Sequence, residues 1–137
     1  MISKNLIYKG LLTAFTAGLF SFLAPADAKA ADVNVSVSNG VLYIESGTSV
    51  IDDYIMPASF GFVWVYTNSQ GWIPTNTAAQ DIHWIEVRTK DGYDVIDLRF
   101  CGWISNFIVA YGGDDDDTGY NPPGVPVVWD SVETILN

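Results

Sequence analysis

Seven short runs of β-branched and aromatic residues succeed one another between Val33 and Trp129. They read VNVSVS (Val33–Ser38), VLYIES, FGFVWVY (Phe60–Tyr66), IHWIEVRT (Ile82–Thr89), VIDLRF, NFIVAY (Asn106–Tyr111) and VPVVW (Val125–Trp129). Gly, Asn, Asp and Pro punctuate the gaps, and no segment beyond the first thirty residues sustains a helical period. This pattern predicts an all-β domain. Alternation places Ile85 and Val87 on one face of their strand, with Trp84, Glu86 and Arg88 on the other. It likewise groups Ile96, Leu98 and Phe100 against Val95, Asp97 and Arg99. TNTAAQD (residues 75–81) has room for one helical turn at most, and the closing SVETILN reads as a strand or a short helix.

Residues 1–30 have a different character. Lys4 and Lys9 precede the apolar run GLLTAFTAGLFSFLA, and ADAKA follows Pro25 with small residues at Ala28 and Ala30. A run this short, ending in a cleavage motif, reads as a secretory signal peptide of bacterial type rather than a membrane anchor. Residues 31–137 then form one small exported domain, secreted or held at the cell surface. Cleavage after Ala30 removes three lysines and Asp27, leaving Arg88, Lys90 and Arg99 against fifteen acidic side chains, a formal net charge of −12. Such a surface disfavours nucleic acid and anionic membranes and favours cations. No later stretch is long enough to insert into a bilayer. Cys101 is the only cysteine, so no internal disulfide forms. It reads as a small buried hydrophobe. Stability must come from the core, a metal or a partner.

The turns repeat. Three place an Asp two residues before a strand position: Asp53 with Ile55 in GTSVIDDYI, Asp94 with Ile96 in KDGYDVIDL, and Asp117 with Gly119 in GGDDDDTGY. The spacings are 41 and 23 residues. Four adjacent carboxylates, Asp114 to Asp117, cost about 1 kcal/mol per pair at 4 Å even in bulk water. A divalent ion offsets that repulsion, as do splaying and salt screening.

These turns resemble the G-G-x-G-x-D-x-U-x nonapeptide (U, a large apolar residue) of the haemolysin-type, or RTX, calcium-binding repeats. Gly112, Gly113 and Asp117 match the pattern, with Asp115 at the third glycine and Gly119 at the apolar position. Gly92, Asp94 and Ile96 match in the middle turn, where Thr89 and Lys90 replace the first glycines. Asp53 and Ile55 match in the first turn, with an extra residue near Val50 and Ile51. The order NGVLYIESGTSVIDDYI, IEVRTKDGYDVIDL, IVAYGGDDDDTGY is similar to divergent members in bacterial secreted proteins, and the resemblance covers residues 39–120. It implies a parallel β-roll or β-solenoid-like domain with calcium between successive coils, held by main-chain carbonyls and carboxylates. The implied ligands are Asp53, Gly92, Asp94, Gly112, Gly113, Asp114, Asp116 and Asp117. Calcium accepts six to eight oxygens in flexible geometry, and glycine lets a turn direct its carbonyls inward. With turns few and irregularly spaced, the resemblance implies one or two weak sites, with dissociation constants of about 10⁻⁴ to 10⁻³ M. A structural or adhesion role follows, and stacking of so few repeats leaves room for a homo-oligomer or a larger surface assembly.

The residues also bear on other chemistries. An EF-hand beginning at Asp114 would need Glu at position 12, where Val125 stands, and Pro122 and Pro123 oppose the following helix. His83, the only histidine, could pair with Cys101 or a serine, but nothing local supports a nucleophilic site. No zinc spacing or phosphate loop is present, so a non-enzymatic domain is expected. The alternative is a carbohydrate-binding module, with Trp72 and Trp84 as the stacking residues among five tryptophans. Asn39-Gly40 favours a tight hairpin, which suits an antiparallel β-sandwich as the second fold.

Overall fold

A computed structural model describes residues 33–47 and 53–137, all within the compact unit Ala31–Asn137. The expected signal peptide and the insertion near Val50 and Ile51 lie outside the described residues. The described residues form eleven strands: β1 (Asn34–Ser38), β2 (Val41–Glu45), β3 (Tyr54–Phe60), β4 (Phe62–Thr67), β5 (Gly71–Ala78), β6 (Trp84–Arg88), β7 (Val95–Asp97), β8 (Phe107–Tyr111), β9 (Thr118–Tyr120), β10 (Val127–Asp130) and β11 (Thr134–Leu136). Among the described residues there is no α-helix, and a 3-10 turn at Ala79–Asp81 ends the TNTAAQD segment.

The strands form two sheets, ordered β1-β2-β6-β8-β10 and β11-β9-β7-β3-β4-β5. Within them β2, β6, β8 and β10 run parallel, as do β3, β7, β9 and β11. The chain therefore alternates between sheets: β2 to β3, β6 to β7, β8 to β9, β10 to β11. We call each such pair a rung. The two sheets are mixed and largely parallel, and they do not close into a solenoid. The antiparallel sandwich is overturned: antiparallel pairing is confined to β1–β2 and to β3–β4–β5. Asn39-Gly40 does make the expected tight hairpin, with both φ angles positive at 50° and 76°, but it serves only to attach β1 as an edge strand.

Period-two patterning explains the core. Leu42, Ile85, Ile108 and Val127 stand in one inward row, and Ile44, Val87, Ala110 and Trp129 in the next. The second sheet answers with Ile55, Ile96 and Gly119 in register, and Ile135 continues the row on the exposed edge strand β11. Leu98 and Cys101 complete the interior, and the Cys101 thiol donates to the Pro57 carbonyl at 3.4 Å. Phe100 is not an inward partner of Ile96 and Leu98: β7 ends at Asp97, the chain turns, and Phe100 is exposed. The closing SVETILN forms a short turn and the final strand β11.

One gap in the inward rows is filled from elsewhere. Gly119 sits where Ile55 and Ile96 precede it, and a Cβ there would lie 2.5 Å from Cη2 of Trp129. The indole of the last rung thus occupies the space that an apolar side chain would take, and its Nε1 donates to Asn121 Oδ1 at 2.9 Å. Truncation to Trp129→Ala should therefore destabilise the domain by about 3 kcal/mol. Adding Gly119→Val to that variant should recover part of the loss in denaturant unfolding. A double variant no more stable than Trp129→Ala alone would refute the space-filling exchange.

Candidate functional site

The turns between the sheets stack because the strands preceding them are in register. Glu45, Arg88, Tyr111 and Asp130 end the first-sheet strands in one row. The next residues bond downward through the backbone: Ser46 N–H to Arg88 O, Thr89 N–H to Tyr111 O and Gly112 N–H to Asp130 O, each at 2.9 Å. At the other end of each turn, Asp53, Asp94 and Asp117 are buried and precede β3, β7 and β9. The three aspartates singled out in sequence are thus brought into one column.

Carboxylates link this column. Asp53 N–H donates to Asp94 Oδ1 at 2.7 Å, and Asp94 N–H to Asp117 Oδ1 at 2.8 Å. Asp117 N–H donates in turn to Glu133 Oε2 at 2.8 Å. Each carboxylate therefore satisfies a turn N–H of the rung before it. Glu133 lies outside the three repeated Asp turns. The last turn spans only Ser131–Glu133, where the two before it have six residues, and the longer side chain makes up the reach.

The second carboxylate oxygens differ from turn to turn. The Ser46 hydroxyl donates to Asp53 Oδ2. The Thr89 hydroxyl donates to the Gly112 carbonyl and lies 3.2 Å from the Tyr111 carbonyl. At the same turn position the third rung has Gly112, with no hydroxyl, and a Cβ there would collide with Asp117 Oδ2 and the Ser131 carbonyl. Among the described residues, the buried Oδ2 atoms of Asp94 and Asp117 have no hydrogen-bond partner. Sequence gave one signal for these partners, a Ser, Thr or Gly immediately after each first-sheet strand.

Burial pushes the Asp94 carboxyl up to about 6, helped by the charges of Asp117 and Asp53 and opposed by the Asp53 N–H and the Thr89 hydroxyl. Burial also raises Asp117 to about 6, opposed by the Asp94 N–H and reinforced by Glu133, Asp115 and Asp116. Asp97 goes the other way. Its burial is outweighed by hydrogen bonds from Arg99 and Tyr54, which hold it below the usual carboxylate range.

The remaining expected ligands are spread out. Gly112 and Gly113 stack on Thr89 and Lys90, and a Cβ on Gly113 would strike the Lys90 carbonyl. Asp114 bridges to Asp91, which puts Asp115 level with Gly92. Both adopt positive φ, 77° and 126°, and the short polar Asp tolerates what the motif assigns to glycine. Asp114, Asp115 and Asp116 are exposed and outside the buried column. Among the described residues no group of three or more His, Cys, Asp or Glu side chains is arranged to hold a metal ion. The two tryptophans of the alternative reading lie in different sheets: Trp72 is exposed on β5, whereas Trp84 on β6 packs 4.3 Å from Phe107. His83 Nδ1 lies 3.2 Å from Ser105 Oγ at the surface, while Cys101 is in the core, so those two do not pair.

No protein family, curated protein or solved structure matches this chain.

The carboxylates carry a pH signature. With folded pKa values near 6 against an ordinary 3.8, Asp94 and Asp117 contribute stability that is full below about pH 4 and is lost as pH rises through about 6. Asp97, held low, contributes stability above about pH 4 that is lost on further acidification. In metal-free buffer the Tm should therefore fall between pH 4 and pH 7. Asp117→Asn, which keeps an oxygen for the Asp94 N–H, should flatten that fall. An unchanged slope in the variant would contradict the assignment.

Proposed function

We propose that this is an exported, non-enzymatic β domain whose stacked Asp turns hold a weakly bound calcium ion. On this reading the paired parallel sheets are an open, degenerate relative of the haemolysin-type β-roll. The observation that carries the proposal is the pair of buried Oδ2 atoms on successive rungs, Asp94 and Asp117, neither with a hydrogen-bond donor. A buried carboxylate oxygen without a partner is costly, and a hard cation offsets that cost. The donors are all oxygen, which suits calcium rather than a softer metal.

Asp94 and Asp117 are the carboxylates that would hold the ion, with main-chain carbonyls of the turns as further donors. Asp53, whose Oδ2 accepts from the Ser46 hydroxyl, stands beside them at the end of the column. When bound, the ion supplies positive charge that ties neighbouring rungs together. Exposed Asp114, Asp115 and Asp116 add a negative field that concentrates cations at this edge. Its role is structural, either folding after export or presentation at a surface.

At about 10 mM calcium and a dissociation constant of about 1 mM, binding adds about 1.4 kcal/mol, or several degrees of Tm for a domain of this size. Thermal melts of residues 31–137 in calcium and in chelator should differ by that amount. Asp94→Ala with Asp117→Ala should abolish the difference. Equal melting of the unmutated domain in both buffers rules out the calcium site.

A further inference from the structure

The detour through β4 and β5 builds a surface that rung stacking does not need. After β3 the chain makes two long antiparallel strands before rejoining the first sheet at β6. Their eight and six residues contrast with three in each of β7, β9 and β11. Val63 and Val65 face the core. The other face carries Tyr54, Phe60, Phe62, Trp64, Tyr66 and Trp72, and the cross-strand register aligns Tyr66 with Trp72.

Four of these rings form a continuous row. Centroids are 6.1 Å apart for Tyr54 and Tyr66, 5.4 Å for Tyr66 and Trp72, and 5.8 Å for Trp72 and Phe60. The interplanar angles are 73°, 64° and 75°, so the rings lock edge to face and no two stack flat. Phe60 is 73% exposed, Phe62 56% and Trp72 44%.

Charge narrows what this face accepts. Strands β3, β4 and β5 carry no charged side chain, although the chain has sixteen acidic and six basic residues. A second copy or an anionic membrane would bring its own negative charge against a net −12 domain. On this face stand the aromatic rings, with the polar tips of Trp64, Trp72 and Tyr66 among them, together with Met56, Ala58, Pro74 and Asn76. Arg, which is enriched at protein interfaces alongside aromatic residues and Met, is missing from these strands, and Met56, the one Met on the face, is half-buried. Uncharged ring faces with amide, indole and phenol groups among them match a neutral polyhydroxylated ligand, whose C–H faces pack on rings and whose hydroxyls take hydrogen bonds.

We propose that the outer face of β3–β4–β5 is a binding platform for neutral polysaccharide, with Trp72 and Phe60 as its principal contacts. Trp84, packed against Phe107 on the other sheet, takes no part. The proposal is independent of the turn column and therefore of calcium.

The test is depletion of the secreted protein by insoluble cellulose and chitin, with soluble xylan and mannan followed by tryptophan fluorescence, all in chelator. At least one polysaccharide should bind. Trp72→Ala and Phe60→Ala should each weaken that binding by about tenfold, and Trp84→Ala should leave it unchanged. Both positions are exposed enough for the variants to fold, which far-UV circular dichroism checks. No binding to any of the four, or equal binding by Trp72→Ala, overturns the proposal. So does a face occupied instead by phosphatidylcholine vesicles or by a second copy, seen as flotation or dimerisation that Trp72→Ala removes.

Discussion

Parallel rungs cannot be joined by tight hairpins, so every crossing between the two sheets leaves turn backbone to be satisfied. A buried N–H without an acceptor costs about as much as a lost hydrogen bond. The column from Asp53 through Asp94 and Asp117 to Glu133 meets that requirement at three successive rungs. Each acid serves the rung before it, so the turns hold one another at the height the strands demand. Turn length sets the residue type. Asp reaches across the six-residue turns, and Glu is needed where the turn shrinks to Ser131–Glu133.

The same column explains why the third rung differs. The Ser46 hydroxyl after the first of these strands bonds Asp53, whereas the Thr89 hydroxyl after the second bonds the Gly112 carbonyl and leaves Asp94 Oδ2 without a donor. Gly112 supplies none, and its closeness to Ser131 and Asp117 excludes any side chain. Asp117, like Asp94, is buried with an Oδ2 that has no donor, and that burial pushes its carboxyl up to about 6. Conformation and packing are also exchanged between rungs. Asp115 takes the left-handed geometry that Gly92 takes one rung earlier, and Trp129 fills the space opened by Gly119.

Two surfaces of opposite character result. One edge gathers exposed carboxylates at Asp114, Asp115 and Asp116 beside the buried column. The β3–β4–β5 face is free of charge and covered by aromatic rings. Tyr54 stands between them. Its ring meets Tyr66, while its hydroxyl donates to Asp97, which Arg99 also grips in a two-point pair. Burial and the Asp97 charge raise the Tyr54 hydroxyl to about 12, which keeps it a donor at any physiological pH.

Periodicity and turn chemistry alone specify the β class, the alternating inward rows around Ile85, Val87 and Ile96, the Asn39-Gly40 hairpin and the likeness of the three Asp turns. All of these are local: periodicity, turn chemistry and spacing act within a few residues. Long-range register chooses between the parallel roll that the resemblance implies and the antiparallel sandwich that the Asn39-Gly40 hairpin suits, because partners such as Leu42 and Ile85 lie far apart in the chain and alternation looks the same for either direction. Only the tertiary structure decided that Phe100 turns outward, that Glu133 ends the carboxylate column, and that Trp72 and Trp84 face different sides of the domain. Those outcomes depend on register between distant strands, which no single stretch of sequence encodes.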